Sequence, residues 1–218
     1  GRRDYLDSVL EQVDSEYRRS LLSYTKGLRQ RNKLLERIRE GQAQRSQLTF
    51  WDQLLIKNGE VIAGKRKELG EFANGAFSRD RISQVFGGLT IEYDHSVISP
   101  ARLEHYANAE VGAGMTLVGP HRDDFKIVAQ NRDLAIFGSR GEQRLAVLAL
   151  KLAELSFVTS RVGERPLLLL DDIFSELDHE HREDVLEVVG QQQTVMTTTD
   201  LHLVDKRYQK NMQVIQLQ

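Results

Sequence analysis

The stretch from Pro166 to Asp178, PLLLLDDIFSELD, limits the fold more than any other part of the sequence. Four aliphatic residues between a proline and two aspartates are too short a run for a core helix. They suit a strand of a parallel sheet, buried on both faces. The surroundings agree. Apolar residues at helical spacing (Leu145, Leu148, Leu152, Leu155) predict a strong helix from about Gly141 to Arg161, Asp178–Val189 reads as another, and Thr194–Thr198 reads as a further strand. Upstream, Leu89–Tyr93 looks like a strand and Pro100–Ala109 a short helix with proline in its first turn. Phe125–Ala129 and Leu134–Phe137 read as short strands around a polar turn at Gln130–Arg132. This alternation predicts a layered α/β region with partly parallel strands.

The first half is different. From Asp4 to Arg39 apolar residues recur every three or four positions, through Leu6, Val9, Leu10, Val13, Tyr17, Leu21, Tyr24, Leu28, Leu35 and Ile38. A second helical stretch runs from Thr49 to Phe86, weakened at Asn58-Gly59, Gly64 and Asn74-Gly75. Two long helices joined by the polar turn near Gly41 make an antiparallel hairpin, an arm and not a catalytic centre. The expected division is therefore 1–87, a helical arm, and 88–218, an α/β part.

Composition removes several function classes. The 218 residues carry 30 Lys+Arg against 32 Asp+Glu, a net charge of −2, with 40% hydrophobic residues, which excludes disorder and a uniformly basic surface. With no cysteine there is no disulfide, thiol nucleophile or cysteine zinc site. The longest aliphatic run, Leu167–Leu170, is far short of a membrane span, so no membrane association is expected and the cytoplasm is the expected location. Charge is unevenly spread: Lys26, Arg29, Arg31, Lys33, Arg37, Arg39 and Arg45 face only Glu36 and Glu40 in their segment. That run is either a solvated helix face or a basic arm that touches a phosphate backbone.

Two constellations could carry chemistry. Asp171 and Asp172 emerge at the C-terminal edge of the aliphatic strand, where open α/β sheets bind ligands. Adjacent carboxylates there suit hydrated Mg2+ and an attacking water near a nucleotide phosphate; alternatively they cap the strand end or the next helix. The second is FGSRGEQR, Phe137–Arg144, which opens the strong helix. Its serine and small glycines expose N–H groups at a helix N-terminus, with Arg144 one turn in. It is either an anion site or an ordinary serine-capped helix.

Together with Gly119–Asp124 (GPHRDD), Leu148–Leu155 (LALKLAEL) and the upstream RRDYLD and LRQRN, these motifs resemble the RecF family of bacterial recombination and repair ATPases. The resemblance covers essentially the whole chain. It implies an ABC/SMC-like ATPase head, present here as its C-terminal lobe, with an inserted helical hairpin. It further implies that Ser139, Gly141, Glu142, Gln143 and Arg144 form a signature motif for the γ-phosphate of ATP held by a partner subunit. Asp171 would position Mg2+, and Asp172 would polarise the attacking water. Ser175 to Asp178 would form a loop reaching across the dimer. Where related ATPases carry a switch histidine this chain has Asp200, with His202 two residues on. The implied partners are DNA at gaps or single-strand/double-strand junctions, a second copy in an ATP-dependent clamp, and RecO- and RecR-like mediators that help load the recombinase.

One departure stands out. Gly59–Lys65 satisfies G-x-x-x-x-G-K, but Arg66 follows where Ser or Thr should reach the metal, and the segment lies in a helical stretch. It is read as a decoy. The chain is accordingly expected to be a piece lacking an upstream phosphate loop, and not to hydrolyse ATP alone. The alternatives are a non-catalytic interaction module that pairs with an intact head and, less simply, a chromosome-partition head. His121 has no second cluster to complete a metal site, His179 and His181 beside Glu180 read as solvated capping, and Trp51 reads as core packing.

Overall fold

The computed structural model describes residues 1–216 apart from 80, 85 and 178, with residues 176 and 180 as backbone only. The expected single helix over Asp4–Arg39 is two: α1 (Arg2–Val13) and α2 (Ser15–Arg39). Asp14 divides them. Its backbone is extended, and its carboxylate accepts from the Glu16 and Tyr17 N–H groups, capping α2 while its own N–H closes α1 on Leu10. The second helix, α3 (Thr49–Phe77), runs unbroken through Gly59, Gly64 and Gly75 but stops nine residues short of Phe86. A short α4 (Arg81–Gln84) follows, and Val85 lies outside the described residues.

α2 and α3 are antiparallel: Tyr17 meets Arg66, Tyr24 meets Gly59, Gly27 meets Leu54, and Arg31 meets Asp52. Gly59 is required by close approach. A Cβ there would lie 2.7 Å from Ile98 Cγ2 and 3.3 Å from Tyr24 Cε2.

The hairpin packs on two small sheets. β1 (Leu89–Asp94) and β2 (Asp124–Ala129) pair antiparallel from Leu89↔Ala129 to Asp94↔Asp124, and β3 (Arg132–Asp133) extends the sheet. Gln130 and Asn131, both at positive φ, make the tight turn between β2 and β3. Between β1 and β2 lies α5 (Pro100–Ala113), longer than expected and ended by Gly114 in the left-handed region. Leu134–Phe137, expected as a strand, is a single helical turn, α6. Asp133 caps it by accepting from the Ala135 N–H; Leu134 is buried while Ile136 and Phe137 are exposed.

α7 (Arg140–Val162) leads to β4 (Leu168–Asp171), which pairs in parallel with β5 (Thr194–Thr197), with Asp171 opposite Thr197. β4 is not buried on both faces as expected. Leu168 and Leu170 pack on the core, whereas Leu169 is 67% exposed and Val195 beside it is also exposed. Only one face of this two-stranded sheet is covered by the described residues. α8 (His179–Val189) and α9 (Lys206–Gln209) close the chain. One core runs through the whole, from Leu6 and Leu55 through Ile91 and Phe157 to Leu186 and Val204.

Buried charge ties hairpin to sheets. Arg66, 3% exposed, donates to Asp7 (2.7 Å), the Tyr17 hydroxyl (3.0 Å), the Pro120 carbonyl (2.7 Å) and Asp123 (3.2 Å). Asp123 also accepts from the Tyr93 hydroxyl and the Ser96 N–H. His121 accepts from the Tyr24 hydroxyl at Nδ1 (2.8 Å) and donates from Nε2 to the Thr116 carbonyl (3.1 Å). GPHRDD thus joins sheet to hairpin, and among the described residues no cluster of three metal-type ligands exists. Arg31, counted in the basic run, is buried too, paired with Asp52 and Glu110 at 2.7 Å each and donating to Thr116 Oγ1 at 2.8 Å. Gly59–Arg66 lies inside α3, with Lys65 paired to Asp14 at 2.8 Å, so it is no phosphate loop. His181 is buried and not solvated, and Trp51 is only half-buried, edge-on to exposed Phe50 at 4.9 Å.

Candidate functional site

Ser139 starts α7 with a reciprocal cap. Its Oγ accepts from the Glu142 N–H (3.2 Å), and the Glu142 carboxylate accepts from the Ser139 N–H (2.7 Å). These bonds from Ser139 hold the Glu142 carboxyl below its usual range. Two first-turn donors, the N–H groups of Arg140 and Gly141, take no partner among the described residues. They carry the positive end of the helix. Nothing lies within 4 Å of where a Cβ on Gly141 would be, so this chain's own packing does not demand glycine there. Gly138 is the opposite case: a Cβ would come 2.6 Å from the Leu134 carbonyl oxygen. The Gln143 amide donates back to the Leu134 (3.0 Å) and Gly138 (3.2 Å) carbonyls, fixing the entry loop.

At the end of β4, Asp171 is exposed and its Oδ1 accepts from Thr197 Oγ1 at 2.6 Å. The Asp172 N–H donates to the same Thr197, at its carbonyl (3.2 Å) and hydroxyl (3.0 Å). Asp172 itself is left-handed (φ 45°, ψ 27°), an unusual conformation for a non-glycine residue. Ser175 donates to its carbonyl (2.8 Å) and to Oδ2 (2.9 Å), while Oδ1 is buried with no hydrogen-bond partner among the described residues. A strained turn that aims a partnerless carboxylate oxygen is the kind of arrangement found at catalytic positions.

Both constellations contribute to one groove of about 710 Å3 between α7 and β4: Arg140, Gln143 and Arg144 line it from the helix start and Asp171 from the strand end, with Val147 and Leu169 among its apolar residues. The residues fit Mg2+ and a nucleotide phosphate: one carboxylate is exposed, another has a partnerless oxygen, and two helix donors are unspent. Mg2+ is commonly held by one or two protein carboxylates, with water and phosphate oxygens completing its shell.

No family model matches the chain. The DNA replication and repair protein RecF of Herpetosiphon aurantiacus is 42% identical over 212 residues, covering 92% of this chain and 55% of that protein. RecF of Synechocystis sp. is 35% identical over 240 residues, covering 99% and 62%. Over the part it spans, the chain belongs to the RecF family. It spans a little over half the length of these relatives. A solved structure described as the recombination mediator protein RecF with ATP, in the RecFOR pathway, superposes with a TM-score of 0.81 at 32% identity, over 92% of this chain and 57% of that one.

Within this RecF-family chain the expected site residues fall as follows. Ser139, Gly141 and Glu142 form the helix start, Gln143 and Arg144 line the groove, and Asp171 and Asp172 share one turn. Asp178 lies outside the described residues. Asp200 accepts from the His202 N–H (2.9 Å) and caps a short turn, while His202 is exposed. The residue that sequence reasoning missed is Thr197, which holds both aspartates. Its signal was its place, one strand over at the position paired with Asp171.

Proposed function

We propose that this chain supplies two complementary parts of a shared ATP site in a RecF-type DNA-repair ATPase. In this reading 88–218 belongs to the head and 1–87 is its arm. The observation that carries it is that α7's start and β4's end both line one groove; two copies set face to face would bring each helix start to the other's acids. Phosphoryl transfer needs positioning and charge neutralisation more than covalent chemistry. Ser139, the free N–H groups of Arg140 and Gly141, and the Arg144 side chain would meet the γ-phosphate held by the second copy. Asp171, oriented by Thr197, would hold Mg2+, which when bound neutralises phosphate charge. Asp172, next along the chain, would accept the proton of the attacking water. Closure on DNA at gaps or junctions, and work with RecO- and RecR-like mediators to load recombinase, follow from the relatives' pathway.

The test is sedimentation of the intact protein with and without Mg-ATP. Wild type should dimerise with nucleotide, Ser139→Arg should bind ATP and stay monomeric, and Asp171→Asn should lose the Mg2+ dependence of binding. Dimers of Ser139→Arg as tight as wild type would overturn the reading. ATP-independent pairing with a second, intact head would favour a non-catalytic module.

A further inference from the structure

α2 buries one face and charges the other. Tyr17, Ser20, Tyr24, Gly27, Arg31 and Leu35 are its buried positions. At about 100° per residue, Arg19, Lys26, Lys33 and Arg37 fall roughly in line on the opposite side, with Arg29 beside them. All five are exposed. Between Arg19 and Arg37 the helix has a single acid, Glu36. It sits off the line, next to Arg39 against Gly114 at the end of α5. No carboxylate among the described residues pairs with any of the five. Arg31, which sequence counting would include, is spent inside the protein on Asp52 and Glu110. Arg18 is also excluded, since it donates to the Glu11 carbonyl at 3.0 Å.

From these observations we infer that Arg19, Lys26, Arg29, Lys33 and Arg37 form a phosphate track on which the backbone of duplex DNA lies along α2. The inference rests on the DNA-binding part of the proposed function and names the surface. From Arg19 to Arg37 the track is about 27 Å long at 1.5 Å per residue. It would follow about eight base pairs at 3.4 Å each. A straight line of cations on a rigid helix suits a rod of regularly spaced charge. A membrane-binding helix would flank its cations with a broad apolar face to insert, and here Leu22 is the only large apolar residue exposed on α2. The contacts carry no base readout, so binding would be indifferent to sequence.

The experiment is a fluorescence-anisotropy titration of the intact protein with a 20-bp duplex across 50 to 200 mM salt. Each neutralised phosphate contributes about −0.9 to the slope of log K against log salt, so five contacts weaken binding by several hundred-fold over that range. The variant Lys26→Gln, Lys33→Gln, Arg37→Gln keeps good helix formers at exposed positions, so the fold survives and circular dichroism verifies it. Its slope should flatten by about 2 to 3. A charge-matched control, Arg79→Gln, Lys126→Gln, Lys210→Gln, alters exposed cations off α2 and should leave the slope within one of wild type. Equal losses in the two variants would overturn the track, leaving only general charge. So would tighter track-dependent binding to phosphatidylserine vesicles than to DNA. A wild-type chain that binds no duplex at 50 mM salt overturns the track as well, while the ATP-site reading stands or falls separately on ATP-dependent dimerisation.

Discussion

Two neighbours on α3, Lys65 and Arg66, should respond to mutation in opposite ways. Arg66 makes hydrogen bonds to Asp7, Tyr17, Pro120 and Asp123, and its partner Asp123 is fully buried. Arg66→Ala removes the cation and leaves a buried carboxylate with only the Tyr93 hydroxyl and Ser96 N–H. Breaking a buried pair from one side costs about 3–5 kcal/mol. For a chain of this size that lowers the Tm by about 6 to 20 °C, at roughly 2–4 °C per kcal/mol. Adding Asp123→Asn should recover part of the loss, because the orphaned charge is what hurts. Lys65 pairs with Asp14 at the surface, where such pairs contribute about 0–1 kcal/mol. Lys65→Ala should therefore shift urea midpoints little and leave nucleotide binding untouched. Urea denaturation followed by circular dichroism reads the stabilities, and the m-value shows whether the denatured state changed. Arg66→Ala within 1 kcal/mol of wild type, or ATP binding abolished by Lys65→Ala, would refute this assignment of α3.

Three further outcomes follow from the same structure. Burial holds His121 below its ordinary value of 6.5, partly opposed by its bond to the Thr116 carbonyl, so it stays neutral in the fold. The unfolded chain then binds the proton first, and stability present above pH 6.5 should fall as pH drops below it, with His121→Asn flattening that slope in urea midpoints at pH 7.5 and 5.5. Gly59→Ala should destabilise by about 1–3 kcal/mol by overpacking against Ile98, whereas Gly64→Ala, with open space around it, should stabilise by up to about 1 kcal/mol. Asp172→Gly should relieve about 1 kcal/mol of left-handed strain, raising the Tm while abolishing ATP hydrolysis in the intact protein.

Periodicity made the hairpin legible, yet it concealed the break at Asp14. Leu10, Val13 and Tyr17 keep helical spacing across a residue that is extended, because the cap restarts the helix in phase. Leu134–Phe137 was misread because four apolar residues fit a strand or a helical turn equally, and the Asp133 cap decided it. The exposure of Leu169 depends on what covers β4, which no local pattern encodes. The two ion-pair centres were the least legible part. Arg31 was counted in the basic run, and nothing local marks it, Arg66, Glu110 or Asp123 as buried, because their partners lie up to 85 positions away. At the site, residue types and spacing disclosed the serine-glycine helix start and the paired aspartates. Thr197 became visible only once β4 and β5 were in register.

The central claim is that the helix start at Ser139 and the acids at Asp171 and Asp172 serve each other across two copies. Mixing two inactive intact proteins, Ser139→Arg and Asp171→Asn, tests it most directly. Each mixed dimer would then contain one site with both halves unaltered, so ATPase activity should reappear in the mixture, at about half of wild type per mixed dimer. A mixture as inactive as its components, although mixed dimers form, would contradict the account.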